Sequence, residues 1–284
     1  MFTDNSLQSV KNYFFDKLKE HHSEREIQLF FEFTCQDKFE LTRAELITGD
    51  KRFSESELLI FREVVKQLQD QVPIQYILGK SHFMGLDFKI GPGVLCPRPE
   101  TEELVDLIVK EQQKGTLLDI GTGSGVIPLA VKKNRPNIEV TGLDKSPIAM
   151  EYAKENAKAH KLEAKWIQLD ILNQHLNTTF DIVVSNPPYV LESDKKDMQR
   201  NVLAYEPKEA LFVPDDEPLL FYNRIAEMCT YILVPGGSLY FEIHEKLGSL
   251  IKSMLEENAF VDVQLIKDMQ GKDRIIKAKK APSL

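Results

Sequence analysis

The sequence is poor in cysteine: Cys35, Cys96 and Cys229 are the only three among 284 residues. They are odd in number, far apart and part of no CxxC or Cys/His pairing. Neither a disulfide framework nor a zinc site is expected, and the pattern suits a reducing compartment. Long hydrophobic runs are also missing. No apolar stretch approaches the roughly 18–20 residues of a membrane span. The opening residues Met1-Phe2-Thr3-Asp4-Asn5 form no charged-then-apolar leader. A cytoplasmic protein with no membrane partner is the expectation. Basic excess is absent too: 36 Lys plus Arg stand against 44 Asp plus Glu, a net charge of −8. Residues 1–80 hold 11 basic and 14 acidic side chains. Neither part is the basic module that phosphate contacts require, which argues against direct nucleic-acid binding. The six histidines (His21, His22, His82, His160, His175, His244) show no metal-ligand spacing and no base pattern. They read as surface or ordinary structural residues, and no metal is expected. No repeat or low-complexity segment occurs.

What is present is an ordinary globular composition, 42% hydrophobic and 28% charged, with length for about two domains. Residues 1–79 read as a small helical bundle. Leu7, Val10, Phe14 and Leu18 fall at helical spacing, as do Leu58, Phe61, Val65 and Leu68. Ser23 to Glu26, Thr42 to Glu45 and Ser54 to Glu57 are capping-box patterns. In each, a hydroxyl accepts from a free backbone N–H while the acid reaches back. Pro73 can open a short fifth helix and Gly79 close it. Residues 80–99 read as a β-hairpin linker, with Leu86, Phe88 and Ile90 alternating before a turn at Gly91-Pro92-Gly93 into Val94-Leu95. A helix then starts near Glu100.

From residue 116 strands and helices alternate. The expected strands are Thr116–Ile120, Ile138–Asp144, Lys165–Leu169, Asp181–Ser185, Ser238–Ile243, a stretch near Val261–Ile266, and Arg274–Ala278. The pattern predicts an α/β domain over 100–284 with a doubly wound, mostly parallel, seven-stranded sheet. The last two strands share only a short link and are expected to be antiparallel neighbours.

The first strand of that sheet, Leu117-Leu118-Asp119-Ile120, runs into Gly121-Thr122-Gly123-Ser124-Gly125 and then a helix. Glycines there allow a tight turn and close approach of a ligand to the backbone. Three ligands compete with a plain turn. A nicotinamide dinucleotide site wants G-x-G-x-x-G, but Val126 holds the last position and Gly125 falls one residue early. A phosphate-binding P-loop needs Gly-Lys-Ser/Thr, which is absent. The third is S-adenosylmethionine, whose amine an acid such as Asp119 can attract. Asp144 ends the second strand, where a carboxylate can accept ribose hydroxyls of either adenosine ligand, or simply head the next helix. Asp170 and Ile171 follow the third strand, where adenine would lie; capping is the competing role for Asp170.

At the end of the fourth strand stands Ser185-Asn186-Pro187-Pro188-Tyr189. An amide or ring-amino nitrogen is a poor nucleophile because its lone pair is delocalised. To accept a methyl group it must pyramidalise and develop positive charge. The Asn186 side-chain oxygen and the Pro187 carbonyl can accept its two N–H bonds and stabilise that charge. Pro187 and Pro188 hold the loop rigid and offer no competing donor. Tyr189 presents a ring to the planar group. Alignment of nitrogen and methyl can lower the barrier by roughly 7–11 kcal/mol. A rigid turn around a buried tyrosine is the bland alternative.

With these motifs the chain resembles the HemK-type protein-(glutamine-N5) methyltransferases that modify bacterial peptide chain release factors. Beyond the glycine loop and Asn186-Pro187-Pro188-Tyr189, the likeness rests on three segments. They are Pro73-Ile74-Gln75-Tyr76-Ile77-Leu78-Gly79, Val94-Leu95-Cys96-Pro97-Arg98-Pro99-Glu100-Thr101-Glu102, and Tyr205-Glu206-Pro207 followed by Ala210-Leu211. The resemblance is strong from about 73 to 212 and weak before that. It implies an N-terminal bundle over 1–79 that docks the substrate, a hairpin linker over 80–99 and a methyltransferase domain over 100–284. It implies S-adenosylmethionine held by Gly121, Thr122, Gly123, Ser124, Gly125, Asp144, Asp170, Ile171 and Asn186. It also implies catalysis by Asn186, Pro187, Pro188 and Tyr189. The implied substrate is the glutamine of the Gly-Gly-Gln motif in class 1 release factors, modified by a monomer. The family often has an aromatic residue where Ile171 stands, so looser adenine stacking is the expectation here. Remaining alternatives are a ribosomal-protein glutamine, a nucleic-acid amino group, a non-catalytic adenosine binder and a nicotinamide-dependent oxidoreductase.

Overall fold

The computed structural model describes residues 2–282. Met1, Ser283 and Leu284, at the outer ends of the expected domains, lie outside the described residues. The chain divides into two compact units. One runs to Gly79 and adds Gln199–Tyr205; the other holds Lys80–Met198 and the chain from Glu206 on.

The first unit is built from α1 (Leu7–Leu18), α2 (Glu24–Phe39), α3 (Arg43–Thr48), α4 (Glu55–Gln69) and α5 (Ile74–Leu78). Reciprocal capping boxes open α2, α3 and α4 at Ser23, Thr42 and Ser54. Each satisfies backbone donors that a helix start leaves free. Val10, Phe14 and Leu18 on α1 are fully buried with Phe31 and Phe61. The Phe14 ring meets both edge-on, at centroid distances of 5.6 and 6.0 Å.

The second unit begins with a hairpin of β1 (Lys80–Phe83) and β2 (Leu86–Lys89). Its turn is Met84-Gly85, with φ of 48° and 75°. Two successive positive φ values define the tight turn whose twist matches a hairpin. The chain also turns at Gly91-Pro92-Gly93 as expected, with the Val94 N–H donating to the Gly91 carbonyl at 3.3 Å, but this turn closes no hairpin, and Val94-Leu95 forms no strand. Gly93 has another use. With φ of 98° it lets the backbone cross Ile148 so closely that a Cβ would lie 2.8 Å from that side chain.

After α6 (Pro99–Glu111) come β3 (Gly115–Ile120), α7 (Val126–Asn134), β4 (Ile138–Asp144), α8 (Pro147–His160), β5 (Lys165–Gln168) and β6 (Phe180–Ser185). A short parallel pair follows, β7 (Val190–Leu191) and β8 (Phe212–Val213); α9 (Arg200–Tyr205), which comes between them in sequence, belongs to the first unit. Then follow α10 (Leu220–Ile232), β9 (Leu233–Glu242), α11 (Gly248–Glu257), β10 (Phe260–Lys267) and β11 (Asp273–Lys280). The large sheet has seven strands in the order β10-β11-β9-β6-β3-β4-β5. Strands β9, β6, β3, β4 and β5 pair parallel, while β11 is antiparallel to both neighbours. Parallel strands buried on both faces need near-continuous apolar runs. Leu117 and Leu118 in β3, and Ile182, Val183 and Val184 in β6, supply them at 0% exposure.

The chain builds outward from β3 to β4 and β5, then returns to β6 on the other side of β3. The loops after β3 and β6 therefore leave in opposite directions and open a crevice at the carboxyl ends. Gly142 in β4 lies under the glycine loop. A Cβ there would sit 2.8 Å from Thr122 Oγ1 and closer still to the Trp166 ring. Gly142→Ala is expected to lower unfolding free energy by about 1–3 kcal/mol through overpacking. A denaturation midpoint equal to that of the unmodified chain would contradict this packing.

Candidate active site

One pocket occupies the crevice at the strand ends. Gly121, Gly123, Asp144, Asp170, Ile171, Asn186, Pro187 and Pro188 line it together. Residues distant in sequence meet there because β3, β4 and β6 are adjacent and parallel. Ser185 Oγ donates to the Ile120 carbonyl at 2.7 Å, tying the two strand ends that launch the glycine loop and the Asn186 loop.

The glycine loop owes its shape to backbone conformation. Gly121, Gly123 and Gly125 have φ of 76°, 54° and 81°. A Cβ at Gly121 or Gly123 would meet nothing within 4 Å, so left-handed φ is what demands glycine there. The Gly121 and Thr122 N–H groups donate to the Leu143 carbonyl at 2.8 and 2.9 Å. Thr122, Ser124 and Gly125 do not line the pocket. Thr122 and Ser124 are buried, the Ser124 carbonyl accepts from Asn156 Nδ2, and Gly125 caps α7. These three shape the loop from behind.

Asp144 faces the pocket and is held from two sides. Its Oδ2 accepts from the Gly123 N–H and its Oδ1 from the Ser146 N–H, both at 2.9 Å. Ser146, not Asp144, caps α8. Burial pushes the Asp144 pKa up, against the pull of the Ser146 and Gly123 N–H groups. Each oxygen keeps lone-pair capacity for a ligand diol. Asp170 is a turn former. Its side chain accepts from the Leu172 N–H at 3.0 Å and from Asn173 Nδ2 at 2.8 Å, while its wall position keeps it at the pocket. Ile171 is 7% exposed and offers an apolar surface beside Leu143 and Leu169.

Asp119 is fully buried and does not line the pocket. Its two carboxylate oxygens and the Thr122 hydroxyl make no hydrogen bond. Burial raises its pKa from 3.8 to about 7, against the pull of the neighbouring Thr122 hydroxyl and with the Asp144 charge adding to the rise. An orphaned carboxylate behind a glycine loop fits a ligand that brings positive charge.

Tyr189 does not line the pocket, so the ring expected to face the substrate is not in its wall; its hydroxyl donates to Glu242 Oε1 at 3.2 Å. Its phenol pKa is raised by burial and by the Glu242 charge. Sequence reasoning missed several lining residues, among them Val94, Leu95, Lys145, Glu209 and Phe221. It also missed Glu242, a carboxylate ending an otherwise apolar strand, which was the available signal. Arg98 Nη2 donates to both oxygens of the buried Glu206 at 2.7 and 2.9 Å. That pair joins the segment after Leu95 to the chain before Pro207, both of which border the pocket. The described residues contain no group of three or more potential metal ligands, and no helix among them is long and apolar enough to cross a membrane.

Sheet order, a glycine loop at the switch point and an Asn-Pro-Pro-Tyr loop beside it define an α/β methyltransferase. Residues 88–212 match the methyltransferase small domain family, and residues 11–79 match the PrmC N-terminal domain. A release factor glutamine methyltransferase from Flavobacterium psychrophilum is 43% identical, covering 94% of this chain and 98% of its own length. One from Bacteroides thetaiotaomicron is 41% identical, covering 96% and 99%. Among solved structures, a methyltransferase from Pyrococcus furiosus shares the fold, with a TM-score of 0.51 and 22% identity over 69% of this chain and 90% of that one. The chain belongs to the release factor glutamine methyltransferase family.

Asp119 gives a pH-dependent prediction. Its folded-state pKa, about 7, lies above the ordinary 3.8. The unfolded chain thus releases this proton first, and stability is lost as pH rises from about 4 to about 7. Asp119→Asn stays neutral throughout. In thermal melts of the ligand-free protein, the Tm gain of Asp119→Asn should be larger at pH 8 than at pH 5. An equal difference at both would mean the buried acid is already ionised at pH 5.

Proposed function

We propose that this enzyme transfers a methyl group from S-adenosyl-L-methionine to the side-chain amide nitrogen, N5, of the glutamine in the Gly-Gly-Gln motif of class 1 peptide chain release factors. The observation that carries the reading is the single pocket shared by Asn186, Pro187, Gly121, Gly123 and Asp144. Nucleotide-type features and the amide-holding loop open onto one space. The names of the curated relatives support the substrate.

The bound cofactor supplies an activated methyl on a sulfonium, and S-adenosyl-L-homocysteine is the product. The chain's own residues do the rest. Asp144 accepts the ribose hydroxyls, while Leu143, Leu169 and Ile171 form the apolar surface for adenine. The glycine loop gives the amino-acid portion close access to backbone, with the Asp119 charge behind it. Asn186 Oδ1 and the Pro187 carbonyl accept the two N–H bonds of the glutamine amide. Both acceptors are neutral, so they stabilise charge that appears on nitrogen as it attacks, without removing its proton beforehand. The proton leaves to water once nitrogen carries the methyl. The helical unit docks the release factor in this reading, and the enzyme works as a cytoplasmic monomer without a metal or nucleic acid.

Asn186→Ala should lower kcat by roughly 100- to 1,000-fold, the loss expected for one preorganised charge-stabilising group. The Kd for S-adenosylmethionine should change far less. Turnover close to that of the unmodified enzyme would sink the mechanism. Mass spectrometry of release factors and ribosomal proteins after incubation with enzyme and labelled cofactor identifies the substrate. Label on a ribosomal protein and none on a release factor would overturn the substrate assignment.

A further inference from the structure

Asn186 must present its oxygen, not its amino group, if it is to accept from a substrate amide. A carboxamide can rotate by half a turn with almost no change in shape, so something must select the orientation. Around Asn186 the structure holds a buried chain of side chains that the proposed reaction does not use.

The chain starts at Glu242. Strands β6 and β9 are parallel neighbours, with Ser185 opposite Phe241, so the next residues out are Asn186 and Glu242. Glu242 is 1% exposed and Thr101, in the first turn of α6, is 3% exposed. Neither lines the pocket. Thr101 Oγ1 donates to Glu242 Oε2 at 2.7 Å, and the Tyr189 hydroxyl donates to Oε1. Burial raises the Glu242 pKa, while the Thr101 bond, the Arg274 charge and the Tyr189 bond oppose the rise. Two hydroxyl donors and a nearby guanidinium are the partners a carboxylate wants.

A threonine hydroxyl has one proton. Here it is directed at Glu242, so Thr101 offers Asn186 only lone pairs. The group of Asn186 that faces Thr101 must then be the amino group, and Asn186 Nδ2 lies 3.4 Å from Thr101 Oγ1. Rotated by half a turn, Asn186 would set oxygen against oxygen at Thr101 and aim N–H groups at the N–H groups of the substrate.

We propose that Glu242 and Thr101 are positioning residues that act in series to hold the Asn186 carboxamide with its oxygen toward the substrate amide. The proposal rests on the glutamine-amide reading of the site. It deepens that reading by naming what makes Asn186 an acceptor there.

The test is Thr101→Val, which keeps the shape and removes the hydroxyl, set against Thr101→Ser, which keeps the hydroxyl. Thr101→Val should lower kcat by about 10- to 100-fold, less than loss of Asn186 itself. KM for the release factor and Kd for S-adenosylmethionine should both stay within about 3-fold. Thr101→Ser should recover kcat to within about 3-fold. If Thr101→Val does not fold, Thr101→Ala removes the same hydroxyl and carries the same expectation. Full activity in the hydroxyl-free variant, or a Thr101→Ser defect as deep as that of Thr101→Val, overturns the relay. A second readout needs no substrate. The side-chain amide resonances of Asn186 in the cofactor-bound enzyme, assigned by their loss in Asn186→Asp, should shift in Thr101→Val and remain in place in Thr101→Ser. Unmoved resonances in Thr101→Val also overturn the relay. If the unmodified enzyme methylated no release factor, the substrate reading would fail while the resonances still decided the role of Thr101.

Discussion

The site depends on the pairing of β3 with β6. The two strands run parallel with Ile120 opposite Ser185, and the Ser185 hydroxyl fixes their ends by bonding the Ile120 carbonyl. The glycine loop leaves one strand and the Asn186 loop leaves the other. A change of register by one residue would turn every side chain of β6 to the other face. The apolar run of Ile182, Val183 and Val184, at 0% exposure, sits in a layer with helices on both sides, which strongly resists such a change. The distance between the glycine loop and the Asn186 loop is thus set by core packing and not by the loops themselves.

That frame allows the unit to carry buried charge. Asp119, Glu206 and Glu242 are each 5% exposed or less. Their situations differ. Glu206 has the Arg98 guanidinium and the Cys96 N–H. Glu242 has two hydroxyls. Asp119 has only the neighbouring Thr122 hydroxyl, which falls short of hydrogen-bond geometry. Buried polar groups without partners are rare, and each costs about 1–3 kcal/mol or more when charged. Glu206 joins two segments that border the pocket, and Glu242 ties Thr101 to Tyr189, the residue after pocket-lining Pro188. The unsatisfied one lies behind the loop proposed to receive a cation, so its desolvation is offset only when ligand arrives.

Much of this was legible in the sequence. The three capping boxes, the seven strands and the two motif loops follow from local rules, because hydroxyl-to-acid spacing and apolar runs act over a few residues. The hairpin turn was harder to place. Gly91-Pro92-Gly93 carries the composition of a turn, yet Met84-Gly85 adopts the two positive φ values a tight hairpin requires. The turn at Gly91-Pro92-Gly93 instead lets Gly93 pass close to Ile148 and Gly91 close to Tyr152. The roles of Thr122, Ser124 and Gly125 also needed coordinates, since a motif lists loop residues without saying which ones face inward. The pairing of Thr101 with Glu242 was illegible for a different reason: they lie 141 residues apart and meet only through the sheet.

The distribution of charge follows from the demand of the proposed chemistry. An amide nitrogen that is about to become positive attracts any acceptor, and a carboxylate would attract it most strongly. A carboxylate at the position of Asn186 would have its own proton equilibrium and would favour cationic side chains over a neutral amide. Asn186 Oδ1 and the Pro187 carbonyl do not titrate, so in the proposed reaction they select a neutral amide and still stabilise it as charge develops. Glu242 stands one hydrogen bond further back, beyond Thr101. In the proposed relay its charge orients the acceptor from there without competing for the substrate. Separating the charge from the reacting nitrogen by one hydroxyl lets a single buried acid contribute to geometry while the group in contact stays neutral.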